Sequence, residues 1–184
     1  MLSRHWLLIS LLLLAGCAGT ATRGNDAVVS QLELRLSPAS LGHELALQQQ
    51  LIFSFRKSLY AVDALLEVDA GEVRLAVQSL GRSVLRLHWN GIELKQHRSA
   101  DLPASLRGET VLSDLQLSYW PIAVIRSALP ESWSVSEVNG VRRVYRDGRE
   151  VVAVHYLSPQ RIEIVRPHSD SRLTVLSVAM AVPL

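Results

Sequence analysis

A single cysteine, Cys17, stands in the whole chain of 184 residues. No disulfide can therefore form within the chain, and neither a cysteine metal site nor a second thiol is available. Lysine is almost as scarce: of 19 basic residues only Lys57 and Lys95 are lysine. No hydrophobic run is long. The apolar stretch Trp6 to Leu14 falls well short of the ~20 residues a spanning helix needs. Neither sign of charge dominates, since the 19 basic residues less Arg4 leave 18 against 17 acidic ones. A near-neutral chain lacks the basic field on which nucleic-acid affinity rests, so no nucleic-acid partner is expected. Catalytic signatures are missing too. There is no Gly-x-Ser-x-Gly, no Gly-rich phosphate loop and no paired-carboxylate pattern. His43-Glu44 opens like a zinc-protease motif, but Leu47 stands where the second histidine is required. His88, His97, His155 and His168 have no metal-ligand spacing. No cofactor or metal is expected. The enzyme reading has no positive support, although a triad can assemble from residues distant in sequence.

What is present begins with an export signal. Met1 to His5 is a short basic region, Trp6 to Leu14 is apolar, and Leu14-Ala15-Gly16-Cys17 closes the segment with small residues before a cysteine. That is the arrangement of a bacterial lipobox. Residues 1–16 then form a signal peptide, and Cys17 becomes the acylated first residue of the mature chain. The competing reading is a membrane anchor, for which the run is too short. Ala18 and Gly19 follow in place of the aspartate that retains lipoproteins in the inner membrane. The expected location is therefore the periplasmic face of a Gram-negative outer membrane. Residues 17–27 carry the lipid and form a polar, flexible tether. Residues 28–184 are enough for one domain with its own core.

Most of that domain alternates with a period of two. Val28 to Leu36 places Leu32, Leu34 and Leu36 on one side. Leu45, Leu47, Gln49, Leu51, Phe53 and Phe55 share one face of a long strand. Tyr60, Val62, Ala64, Leu66 and Val68 share one face of the next, with Asp63, Glu67 and Asp69 opposite. This is the pattern of an antiparallel sheet with one wet face, and the three carboxylates read as solvated. Val73 to Val77 and Leu85 to Trp89 flank a Leu80-Gly81 corner. Asn90-Gly91 signals a two-residue hairpin that leads into Ile92 and Leu94. Asn139-Gly140, Asp147-Gly148, Ser158-Pro159 and Pro167 to Asp170 separate the later strands. About eleven strands result, enough for a sheet that must curl.

Residues 109–133 break this rhythm. Val111, Leu115, Tyr119, Ile122, Ile125 and Leu129 fall three or four apart, on one helical face. Pro121 is costly inside a helix but suits its start, so two short helices are expected, about 109–118 and 121–129. Two apolar helices on a curved sheet cover either a packed core or a cavity for hydrophobic ligands; the pattern leaves both open. Leu80 is the other oddity. Turns favour Gly, Asn, Asp and Ser, and a leucine beside Arg82 either inserts into a bilayer or folds back onto the core.

Taken together these landmarks resemble the LolA/LolB family of lipoprotein carriers and receptors. The residues concerned are Leu75, Leu80-Gly81, Leu85-x-Leu87, Asn90-Gly91, the helical segment around Pro121 and the strands after Trp133. Leu36-Ser-Pro38, Gln48-Gln-Gln50, Leu66-Glu67-Val68, Tyr119-Trp120-Pro121 and Arg143-x-Tyr145 are similar to uncharacterised LolB-like lipoproteins associated with aryl-polyene biosynthesis. The resemblance implies a mainly β fold: an incomplete antiparallel barrel with the two helices as a lid over a hydrophobic cavity. It implies Phe53, Phe55, Leu66, Trp89, Leu115, Ile122 and Ile125 as cavity or lid residues, and Leu80 with Gly81 as a membrane-contact loop. The implied function is non-enzymatic: a monomer bound to the outer membrane by its lipid, taking acylated or other lipidic cargo from a periplasmic LolA-like carrier. The amphipathic helix that LolB has before its first long strand is not evident here, so the cargo need not be a lipoprotein. Two other classes stand beside this one: a structural lipoprotein that docks a partner without a cavity, and a periplasmic hydrolase.

Overall fold

The computed structural model describes residues 32–55, 58–100, 102 and 106–180, apart from the side chain of Phe55. The signal peptide expected over residues 1–16, Cys17 and the expected tether lie outside the described residues. Ten strands form one antiparallel sheet: β1 (Leu45–Phe55), β2 (Ser58–Val68), β3 (Val73–Ser79), β4 (Arg82–Trp89), β5 (Leu94–Arg98), β6 (Trp133–Val138), β7 (Val141–Arg146), β8 (Arg149–Ser158), β9 (Arg161–Arg166) and β10 (Ser171–Ala179). Their order is β5-β4-β3-β2-β1-β10-β9-β8-β7-β6. Two five-strand meanders thus meet at a β1–β10 seam, where Gln49 pairs with Ser177 and Phe53 with Leu173. The outer edges, β5 and β6, do not pair with each other, so the barrel is incomplete.

The chain between those edges forms α1 (Gly108–Tyr119) and α2 (Ile122–Ala128). Trp120 and Pro121 are extended between them, as the proline requires. α1 packs beside β5 and α2 beside β6, so the insert roofs the concave face. Below it lies one core of Leu51, Leu66, Val73, Leu75, Leu87, Trp89, Val144, Val154, Ile164 and their neighbours.

Three expectations need correction. Ten strands are present among the described residues, not eleven, because residues 32–37 are extended without joining the sheet. Their alternation is real, since Leu34 and Leu36 are buried, but their backbone partners are side chains of α1. Leu34 N donates to Ser113 Oγ at 2.8 Å. Leu36 N donates to Gln116 Oε1 at 3.1 Å, and Gln116 Nε2 donates back to Leu36 O at 3.0 Å. Second, Asn90-Gly91 does not make a two-residue hairpin. Asn90 Oδ1 accepts from the backbone of Ile92 and Glu93, an Asx turn that lengthens the connection and leaves Ile92 91% exposed. Third, the most buried side of α1 is Leu112, Ser113, Gln116 and Leu117, one position away from the expected stripe. The helix is covered on two sides, by the sheet and by residues 32–41, and the second side uses polar contacts.

Candidate functional site

The antiparallel order places the turns after β1, β3, β7 and β9 at one end of the sheet and those after β2, β4, β6 and β8 at the other. The first end is the open one. Along the inward face of β2, Val68, Leu66 and Ala64 are buried, Val62 is half-buried and Tyr60 is 63% exposed. Phe53 and Leu173, paired across the seam, are also half-buried. β2 outruns its neighbour here: its pairing with β3 stops at Asp63–Gln78, so Ser58 to Val62 is flanked by β1 alone.

Leu80 projects at the same end. It and Gly81 form the two-residue turn between β3 and β4, with φ of 50° and 73°. Both residues are left-handed, as a turn matching the sheet twist requires. The turns Asn139-Gly140 and Asp147-Gly148 have nearly the same angles, but there the first residue is of a type that tolerates them. A leucine in this conformation costs on the order of 1–2 kcal/mol, and Leu80 recovers none of it by packing, being fully exposed.

The roof is attached to the second meander by charge and hydrogen bonds. Arg142 of β7 is almost fully buried. Its guanidinium donates to Leu117 O at 2.5 Å and Trp120 O at 2.9 Å, carbonyls left open where α1 ends, and pairs with Glu137 at 2.7 Å. Its charge also complements the negative end of the helix dipole. Tyr156 Oη donates to Ser118 O at 3.0 Å. Burial pushes the Tyr156 phenol up to about 12, so it remains a donor well into alkali. Asp114 of α1 pairs with Arg166 of β9; burial raises the carboxyl, and the guanidinium opposes that shift. At the seam, Gln49 Nε2 donates to Tyr119 Oη at 2.7 Å and to Ser177 Oγ at 3.0 Å. Burial raises the Tyr119 phenol as well. The start of α1 is held at β5, where Gly108 N donates to Gln96 Oε1 at 2.8 Å.

The residues singled out from the sequence fall around this roof. Leu66 and Ile125 are fully buried. Trp89 is buried, with its indole N–H donating to Leu36 O at 2.8 Å. Phe53, Leu115 and Ile122 are half-buried. Phe55 has its side chain outside the description. Missed altogether were the polar pins Asp114, Gln116, Arg142, Tyr156 and Arg166. Only Gln49 left a trace, as the one polar residue on the apolar face of β1.

Two open depressions accompany the site. One of about 450 Å³ lies between the end of α1 and the β8–β9 hairpin, lined by Ser118, Tyr119, Tyr156, Ser158, Pro159 and Ile162. A shallow one of about 510 Å³ runs over the outer face of β2 to β5, past Leu65, Ala76, Arg86 and His97. Among the described residues no group of three or more His, Asp or Glu side chains is placed to hold a metal ion.

Residues 46–179 match the family described as "Protein of unknown function (DUF3261)". The chain belongs to the DUF3261 family. The matched segment of this DUF3261 chain runs from the start of β1 to the end of β10, and so includes both meanders and the roof. No curated protein matches the chain. Eight chains of solved structures do. One is a DUF1329 family protein from Desulfovibrio piger, similar with a TM-score of 0.45 and 5% identity over 80% of this chain and 90% of that one.

Proposed function

We propose that this DUF3261 protein is a non-enzymatic envelope lipoprotein. It is anchored to the periplasmic face of the outer membrane through Cys17, binds acyl chains or other lipidic cargo beneath α1 and α2, and helps pass them to the membrane. This is the role that the resemblance to the LolA/LolB family implies, with a LolA-like carrier as donor and an aryl-polyene lipid among the candidate cargoes. The observation that carries the reading is Leu80. A fully exposed leucine in a left-handed turn is a local cost without a packing return, and such a cost points to a role outside the fold. A lipid surface is the partner that rewards an isolated apolar side chain beside an arginine. Beside it the inward apolar face is partly open, which gives cargo an approach next to the membrane contact. Transfer would exchange one apolar surface for another, with little change in exposed area.

The test uses the unlipidated chain beginning at Ala18, which keeps the whole described unit. It is expected to co-purify with lipid or to take up an apolar fluorescent probe. A lipid-free chain that leaves the probe in water would sink the proposal.

A second reading, a lipoprotein that docks a protein partner, has its own observation. At the opposite end Ile92, Val138 and Leu157 are 91%, 58% and 54% exposed. It predicts one dominant protein in a pull-down, lost when Ile92 and Val138 are made polar.

A further inference from the structure

The seam between the two meanders has a polar floor. Gln49 is buried in the middle of an otherwise apolar strand face, 3% exposed, although a leucine there would continue the pattern at no desolvation cost. Its amide reaches Tyr119 of α1 and Ser177 of β10, so one side chain from each of three elements meets at this level. From that level toward the open end the inward seam residues are Leu51 with Val175, then Phe53 with Leu173, all apolar. On α1, Leu115 and Val111 lie one and two turns from Tyr119 on the same helical face. The pairing of Asp114 with Arg166, at the end of β9, directs that part of the helix toward the open end. Strand and helix thus present matched apolar faces that begin at the open end and stop at one polar layer.

We infer that the Gln49–Tyr119–Ser177 layer is a stop that limits how deep an acyl chain enters, and so selects chain length. This rests on the acyl-binding reading proposed above. Phe53 lies four residue steps along β1 from Gln49, a depth of ~14 Å at ~3.4 Å per step. That is about half of the ~30 Å hydrocarbon thickness of a bilayer, the depth of one leaflet. A chain about one leaflet long therefore fits with its methyl end at the floor, while a longer one meets hydrogen-bonded polar groups whose separation would leave them unpaired. Admission requires α1 to part from the seam. On the seam side it presents Val111 and Leu115 above Tyr119, while the pins to Arg142, Tyr156 and Arg166 keep it attached to the second meander.

The test measures binding of a series of straight-chain fatty acids to the chain beginning at Ala18. Wild type is expected to bind roughly fourfold more tightly for each added methylene, up to a chain about one leaflet long, and then to level off or weaken. Gln49→Leu with Tyr119→Phe is expected to move that limit to longer chains, improving the longest ligands at least tenfold and leaving the shorter ones within twofold. Ser177→Ala, a milder change, should shift the limit in the same direction. The wild-type profile tests the stop even if the double variant does not fold. Affinity that climbs without a limit, or a limit unmoved in folded variants, overturns the stop and leaves acyl binding standing. Absence of binding at every length overturns both.

Discussion

The two meanders face the same roof in different ways. The first, β1 to β5, meets the interior with an almost wholly apolar wall, in which Leu66, Val73, Leu75, Leu87 and Trp89 are buried. The second, β6 to β10, contributes Val144, Val154 and Ile164 to the same core but also aims Arg142, Tyr156 and Arg166 at α1. Apolar contact is undirected, and any surface of similar shape satisfies it. A buried guanidinium between two particular carbonyls accepts one geometry. The second meander therefore fixes α1 by charge, whereas the first holds it by the amides of Gln96 and Gln49 at either end and by undirected apolar surface between them.

The sharpest way to break that contrast is Arg142→Ala. It leaves Glu137 and the Trp120 carbonyl without the guanidinium, and Leu117 O with only the longer bond from Tyr156 Oη, and is expected to cost about 3–5 kcal/mol in urea unfolding. Amide exchange should quicken in α1 before it quickens in β3 or β4. Leu66→Ala, in the other wall, is expected to cost about 2–5 kcal/mol with no such preference. Equal loosening of α1 in both variants would remove the distinction.

A smaller effect compares like turns in the two halves. Leu80→Asn relieves a left-handed leucine and is expected to raise stability by about 1 kcal/mol. It should also weaken association of the unlipidated chain with lipid vesicles about tenfold, the effect of withholding roughly 1.4 kcal/mol of apolar burial. Asn139→Leu, the reverse change in the second meander, should lower stability by a similar amount. A Leu80→Asn protein no more stable than wild type would show that the turn bears no strain.

The smallest effect is a pH dependence. Tyr156 ionises near 10 when unfolded and at about 12 when folded. Its proton is thus held more tightly in the native state. The stability this contributes is complete below pH 10 and is lost as pH rises toward 12. Tyr156→Phe should cost about 1 kcal/mol at neutral pH and flatten the decline between pH 10 and 12. An unchanged slope would assign the decline to other groups.

Period and punctuation were enough for much of the fold. The alternation of Leu45 to Phe55 and of Leu59 to Val68 fixes two strands and their inward faces, because side chains on a strand change sides at every residue. Pro121 fixes the break between the helices, because it has no N–H to donate and its ring crowds the preceding turn. Local signals fell short where a distant partner decides. Leu32, Leu34 and Leu36 carry a strand pattern, yet Ser113 and Gln116 supply the hydrogen bonds that a neighbouring strand would have made. Gln116 and Arg142 read as ordinary surface residues until their partners, 80 and 25 residues away in sequence, are known.

By itself, then, the sequence determined a mainly β domain with a bent helical insert, and it marked Leu80 as misplaced in its turn. These follow from backbone preferences that act over a few residues. Only the tertiary structure decided that the sheet stays unclosed, that Arg142 and Arg166 of the second meander pin α1, and that Gln49 meets Tyr119 and Ser177 beneath it. Each of those depends on hydrogen bonds and burial between segments far apart in the chain, whose energies no local pattern encodes.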